Sequence, residues 1–181
     1  NIRGPRACYD ESKRFGETLS VAYGRAHALD VRTARIFNTY GPRMQLNDGR
    51  VIPNFVTQAL AGGRITVYGD GSQTRSFAYV DDTVSGLRAL MDTDGLAGEA
   101  VNIGQETETT VRELAEVIID RIGGGEIVTE PLPEDDPTRR KPDLSKARRL
   151  LDWEPTVSLA DGLEKSIDSF RERVEGDEAD D

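Results

Sequence analysis

An α/β fold is predicted by three features of this 181-residue sequence. Stretches with apolar residues three and four apart alternate with short runs rich in Val, Ile, Thr and Phe, the signatures of amphipathic helices and of strands. Gly, Pro, Asn and Asp gather at the junctions, where the backbone must turn. With 36% hydrophobic residues the chain can bury a real core, and it carries no internal repeat.

The elements follow in order. Residues 7–28 form a helix, because Ala7, Phe15, Leu19, Ala22, Tyr23 and Ala26 recur on one face with charges between them. DVRTARIFN is a strand and GPRMQLNDGR a loop. VIPNFVTQALAGG is a second helix, with Pro53 tolerated in its first turn and Gly62–Gly63 stopping it. RITVYGDGSQTRSFAYV gives a strand, a glycine turn and a second short strand. Asp81 or Asp82 is expected to cap the helix DTVSGLRALMDT. The strand EAVNIG precedes a helix that opens at Thr109 or Thr110, and EIVTEPLP follows it. DLSKARRLLDW and SLADGLEKSIDSFRERV are amphipathic helices, and the acidic EGDEADD is expected to be disordered.

Composition narrows the function. A net charge of −10 repels a polyphosphate backbone, which argues against nucleic acid as a partner. Small anions remain open, since two or three placed arginines suffice for them. No run of 18 apolar residues and no secretory leader is found, so a cytoplasmic setting without membrane insertion is expected. The lone Cys8 can form no internal disulfide and, with the single His27, no metal cage. Lysine occurs only at 13, 141, 146 and 165. This arginine bias fits a salt-adapted source or a GC-rich genome equally.

In the first helix Tyr9 lies four residues before Lys13. That spacing puts both on one face with Cβ atoms roughly 5–6 Å apart, so an ammonium can act on a phenol. Making a phenol a base near neutral pH requires a shift of about three units, or roughly 4 kcal/mol. One cation supplies part, and a second, such as an oxidised nicotinamide, supplies more. Alone, Tyr-x-x-x-Lys is common by chance. The glycine-rich strand-turn-helix expected upstream of such a pair is missing; Gly69, Gly71 and Gly123–Gly125 lie in other contexts. The chain is therefore expected to be a C-terminal portion.

Five ordered blocks decide the context: GPRACYDESKRFGET, RIFNTYGPRM, LNDGRVIPNFVTQAL, VYGDGSQTRSFAYVDD and RRKPDLSKARRLLDWEP. Over residues 1 to about 174 they resemble the extended short-chain dehydrogenase/reductase superfamily and, within it, the UDP-glucuronic acid decarboxylases (UDP-xylose synthases). The resemblance implies the end of an NAD-binding Rossmann domain over 1–43, a mainly UDP-sugar-binding domain over 44–174 with some segments returning to the Rossmann domain, and a tail over 175–181. It also implies NAD as cofactor, a UDP-sugar substrate and a homodimer formed through helix 7–28. UDP-glucuronate would be oxidised at C4, lose CO2 as a β-keto acid, and be reduced to UDP-xylose.

The residue roles come from the same likeness. Tyr9 would be the base and Lys13 its activating cation, both touching the cofactor. Arg140 would act at the carboxylate or as proton donor, with Arg139 as its rival. Thr39 would meet the nicotinamide end. Asn38, Arg50 and Arg75 would hold the UDP-sugar, Arg75 at the diphosphate, and Val67 and Tyr68 would border the uracil. Lacking the upstream half, the chain alone is expected to be inactive. A UDP-sugar 4-epimerase, a 4,6-dehydratase and a non-catalytic UDP-sugar-binding fragment are the alternatives. His27, Cys8 and Trp153 are read as structural, and the cluster Glu134–Asp136 as a solvated loop rather than a metal site.

Overall fold

The structure, a computed structural model, describes Gly4 and residues 7–46, 49–132 and 139–179; of Arg139 and of 176–179 only the backbone is described. Helix α1 (Ala7–His27) opens the fold. Its attachment is slight: Gly24 is its single buried residue, set against Val31, and Glu17 accepts two hydrogen bonds from the Arg35 guanidinium. That pair holds the Glu17 carboxyl below its ordinary range.

Strand β1 (Thr33–Ile36) lies parallel to β6 (Ala100–Ile103), Thr33 opposite Ala100 and Ile36 opposite Ile103. Parallel neighbours need a long crossover, and here α3 (Val80–Asp92) belongs to it. α3 and α5 (Ser145–Leu151) cover this pair. Leu90, Leu96, Val101, Ile103, Leu144, Ala147, Leu151 and Trp153 form the resulting core. Trp153 donates to Ser85 Oγ at 2.8 Å and lies so close to Gly86 that a Cβ there would strike its ring. Arg32 closes the end of α3 by donating to the carbonyls of Leu90, Met91 and Thr93, groups that a helix end leaves without partners.

A second, larger core surrounds β3 (Arg64–Tyr68) and β8 (Glu126–Glu130), also parallel. It is built by α2 (Val51–Leu60), α4 (Val111–Ile122) and α6 (Leu159–Ala179), with Phe55, Val56, Ile65, Val67, Leu114, Ile118, Leu163 and Phe170 buried. Each such side chain contributes about 1.5–3 kcal/mol by leaving water. Thr110 caps α4 in a full capping box with Glu113, and Gly123 in the left-handed region ends it. Gly162 is required where α6 crosses Tyr40, because a Cβ would collide with the phenol oxygen. Desolvation raises the pKa of that phenol.

Two expectations change. α3 begins at Val80 with Tyr79 at its N-cap, so neither Asp81 nor Asp82 caps it. Asp82 is instead buried and accepts from Thr156 N (3.0 Å), Thr156 Oγ1 (3.1 Å) and Val157 N (2.9 Å). The segment expected to be disordered from 175 is helical through Ala179; it contains no proline to stop the helix, and Asp180 and Asp181 lie outside the described residues. The short strand expected after the glycine turn is split into β4 (Thr74–Arg75) and β5 (Ala78–Tyr79); three further short strands are added, β2 (Thr39–Tyr40) parallel to β5, and β7 (Thr109–Thr110) and β9 (Arg139–Arg140) on either side of β4.

Candidate active site

Tyr9 and Lys13 project from the weakly attached face of α1. Lys13 Nζ stands 5.4 Å from the Tyr9 ring centroid, and Tyr9 is 59% exposed. The i,i+4 prediction is thus met in geometry, with the phenol open to a ligand. Phe15, Leu19 and Tyr23 are also more than half exposed along the helix. Cys8 is exposed, and His27 packs its ring against Tyr23 at 4.2 Å.

Asn38 and Thr39 follow the carboxyl end of β1, the edge where open α/β sheets take their ligands. The Asn38 backbone carbonyl accepts from Ala78 N at 2.9 Å. The Thr39 hydroxyl is engaged inside the fold, donating to Phe37 O at 3.0 Å and lying 2.9 Å from Thr83 Oγ1. A hydroxyl has one proton to give, so Thr39 presents backbone rather than a side-chain donor to any ligand here.

The arginines come from distant segments. Arg75 on β4 and Arg140 on β9 are register partners in a parallel pair, which sets their backbones about one strand spacing apart, roughly 4.8 Å. Both are half-buried, and Arg75 also donates to the Thr74 carbonyl at 2.8 Å. Arg139 pairs with Thr74 through its backbone. Arg50 sits at the N-cap of α2, exposed, with no acidic residue in the first turn to answer the helix dipole.

Val67 and Tyr68 separate. Alternation along β3 buries Val67 completely in the larger core while Tyr68 faces out at 48% exposure. The Val67 side chain is thus enclosed by the core, whereas the Tyr68 ring is open to solvent.

Two of the concave regions among the described residues bear on the site. The larger, about 610 Å³, lies between the end of α1 and the turn before β6, lined by Val21, Arg25, Leu29, Val31 and Glu99 among others. It is at the amino end of β1, away from Asn38 and Thr39, so its size does not make it the reactive site. The smaller, about 410 Å³, is lined by Glu106, Lys141, Pro142 and Asp143 and adjoins β9. Glu106 there accepts from Arg148 and from Leu144 N, which together hold its carboxyl below the ordinary value.

Sequence reasoning missed Glu108. It accepts from Thr74 Oγ1 at 2.8 Å and pairs with Lys141 at 3.9 Å, a meeting of three segments that no local pattern announces. Among the described residues no three His, Cys, Asp or Glu side chains gather as a metal site, and no helix is long and apolar enough to cross a membrane. Glu134–Asp136 lie outside the described residues.

With this geometry in hand, the profile of the GDP-mannose 4,6-dehydratase family matches residues 2–166. The chain belongs to that family. This member of the extended short-chain dehydrogenase/reductases is 52% identical over 176 residues to UDP-glucuronic acid decarboxylase 1 of Xenopus tropicalis, covering 97% of this chain and 41% of that protein. It is 51% identical to the decarboxylase 1 of Arabidopsis thaliana, over 96% of this chain and 40% of that one. The family member thus spans about two fifths of these relatives' length. Among solved structures it resembles UDP-glucuronic acid 4-epimerase of Bacillus cereus in complex with UDP-glucuronic acid and NAD, with a TM-score of 0.81 and 31% identity over 87% of this chain and 50% of that chain. It resembles the UDP-glucose 4-epimerase of Thermotoga maritima with UDP-glucose at 0.87 and 31%, over 92% and 54%.

Proposed function

We propose that the complete protein containing this chain decarboxylates UDP-glucuronate to UDP-xylose, using NAD. The observation that carries this reading is the contrast in identity: 52% to a decarboxylase against 31–35% to epimerases of similar fold. We assign the first core to the cofactor-binding half and the larger one to the substrate half. The pairing of 33–36 with 100–103 supports the return of later segments to the first.

NAD, held beside Tyr9, Lys13 and Thr39, would supply the hydride acceptor for C4 and the donor that later restores it. The exposed Tyr9 side chain, deprotonated, takes the C4 hydroxyl proton and becomes the phenol, and Lys13 supplies the positive charge beside it. The 4-ketone stands β to the C6 carboxylate, so the C5–C6 bond breaks, CO2 leaves and its electron pair enters an enolate that is protonated at C5. Returning the Tyr9 proton to O4 completes the sugar. Arg75 and Arg140, one strand apart, fit two oxygens of a diphosphate through charge-assisted hydrogen bonds. Their register favours an anion-binding role for Arg140 alongside the one at the carboxylate, with Arg139 as its rival there. Arg50 is a further anion contact, Asn38 a sugar contact, Thr39 a backbone contact near the cofactor, and Tyr68 a surface for uracil.

Incubating the complete protein with NAD and UDP-glucuronate is expected to release CO2 and form a nucleotide sugar lacking C6. An epimer that keeps its carboxylate would instead establish the epimerase reading, which the structural likeness to the Bacillus cereus enzyme supports.

The apolar stripe of α1, with Phe15 at 66%, Leu19 at 52% and Tyr23 at 55% exposure, is proposed to pack against its copy in a homodimer. Light scattering on the complete protein at micromolar concentration should give twice the chain mass; a monomer would refute this. A cytoplasmic location is proposed from the single, unpaired Cys8.

A further inference from the structure

The three-stranded sheet β7–β4–β9 gathers Thr74, Arg75, Arg140 and Lys141 from two stretches, and Glu108 enters from a third. A carboxylate among cations at a place built for a diphosphate is at first sight counterproductive, because it repels the ligand. Its partners say otherwise. One oxygen accepts from Thr74 Oγ1 on β4, while the other pairs with Lys141, the residue after β9. Glu108 itself immediately precedes Thr109, the register partner of Arg75. At 22% side-chain exposure it is no freely solvated surface group.

The strands it joins are weak by themselves. β4 and β9 have two residues each, and a two-residue parallel ladder has little hydrogen bonding with which to hold register. Several cations brought together there also repel one another. A single carboxylate reaching both strands answers both difficulties: it ties β4 to the chain after β9 and neutralises part of the crowded charge.

We infer that Glu108 is a positioning residue that fixes Arg140 against Arg75 and so sets the spacing of the two guanidiniums that receive the diphosphate. The inference rests on the UDP-sugar reading above, with Glu108 touching Thr74 and Lys141 and acting through them. It differs from a simple anion repeller in sign. If Glu108 only opposed the ligand, removing its charge would tighten diphosphate binding; if it aligns the arginines, removing its charge loosens binding.

The test uses the complete, NAD-loaded protein and its Glu108→Gln and Glu108→Ala variants, titrated with UDP and with uridine. Glu108→Gln keeps an acceptor for Thr74 but cannot pair with Lys141. Both variants are expected to bind UDP about tenfold more weakly or worse, the loss that follows misalignment of one charge-assisted contact. Uridine, which has no diphosphate, should bind within about twofold of the parent by the same arithmetic. KM for the sugar nucleotide should rise more than kcat falls. Lys141→Ala should reproduce the effect, and adding it to Glu108→Gln should cost less than the two separately. Hydrogen exchange at the amides of 74–75 and 139–141 reads the same device without ligand, and should quicken in both Glu108 variants. UDP affinity unchanged or improved in Glu108→Gln would overturn the assignment, as would unchanged exchange at those amides. A parent protein that ignores UDP while the Glu108 variants still loosen those amides would instead bring down the UDP-sugar reading, leaving the tie between β4 and β9 intact.

Discussion

Replacing Tyr9 by phenylalanine in the complete protein is expected to lower the rate of UDP-glucuronate oxidation, and hence of CO2 release, by about 100-fold to 10,000-fold, the usual cost of losing a positioned base. The substitution removes one oxygen from a ring that is 59% exposed and makes no contact that the fold needs. Helix α1 keeps its attachments at Gly24 and at the Glu17–Arg35 pair, so the loss would be chemical. The ring also keeps its place beside Lys13, 5.4 Å away, so UDP affinity should hold while kcat falls. Activity of Tyr9→Phe within a factor of about three of the parent, judged against that same range, would show that another group takes the C4 proton. Single-turnover formation of reduced nicotinamide on mixing with substrate is the direct readout, because it precedes carbon–carbon cleavage.

Much of this site was legible where the rule involved is local. The i,i+4 placement of Tyr9 and Lys13 needs only a helix, and the helix needs only its apolar spacing. The helix expected to open at Thr109 or Thr110 does so with Thr110 as its N-cap. Local rules failed where a longer contact competes. Asp82 resembles a cap in sequence but is drawn to Thr156 and Val157, because Tyr79 and Val80 already continue the chain into the helix. Val67 and Tyr68 are neighbours in sequence, yet strand alternation sends their side chains to opposite faces. The adjacency of Arg75 and Arg140, and the arrival of Glu108 beside them, depend on the register of two-residue strands. Such strands have no periodicity to read.

The larger stability effect is expected at Asp82. Its carboxylate belongs to α3, on the first core, yet the groups it accepts from lie at 156 and 157, just before α6 enters the second core. Asp82 thus fastens the two cores to each other at a buried point, and it is only 5% exposed. Hydrogen bonds to a charged acceptor contribute about 1.5–3 kcal/mol each, and a buried N–H left without an acceptor costs about 1–3 kcal/mol. These do not add in full, since the segment can relax toward water. Asp82→Ala is nevertheless expected to destabilise the fold by about 3 kcal/mol, a large share of the roughly 5–15 kcal/mol that holds a domain together. In a complete protein of about two to two and a half times this length that corresponds to a drop in melting temperature of about 3–4 °C. Asp82→Asn should fall between, because the amide keeps one acceptor oxygen but turns a donor toward another. Asp81→Ala, one position away on an exposed site, should change stability by no more than about 0.5 kcal/mol. Thermal unfolding of the complete, ligand-free protein, with hydrogen exchange followed at the amides of Thr156 and Val157, separates these cases. If Asp82→Ala melts within about 1 °C of the parent, the shift expected for 1 kcal/mol or less in a protein of that length, and the two amides stay protected, the cores are joined by something other than this carboxylate.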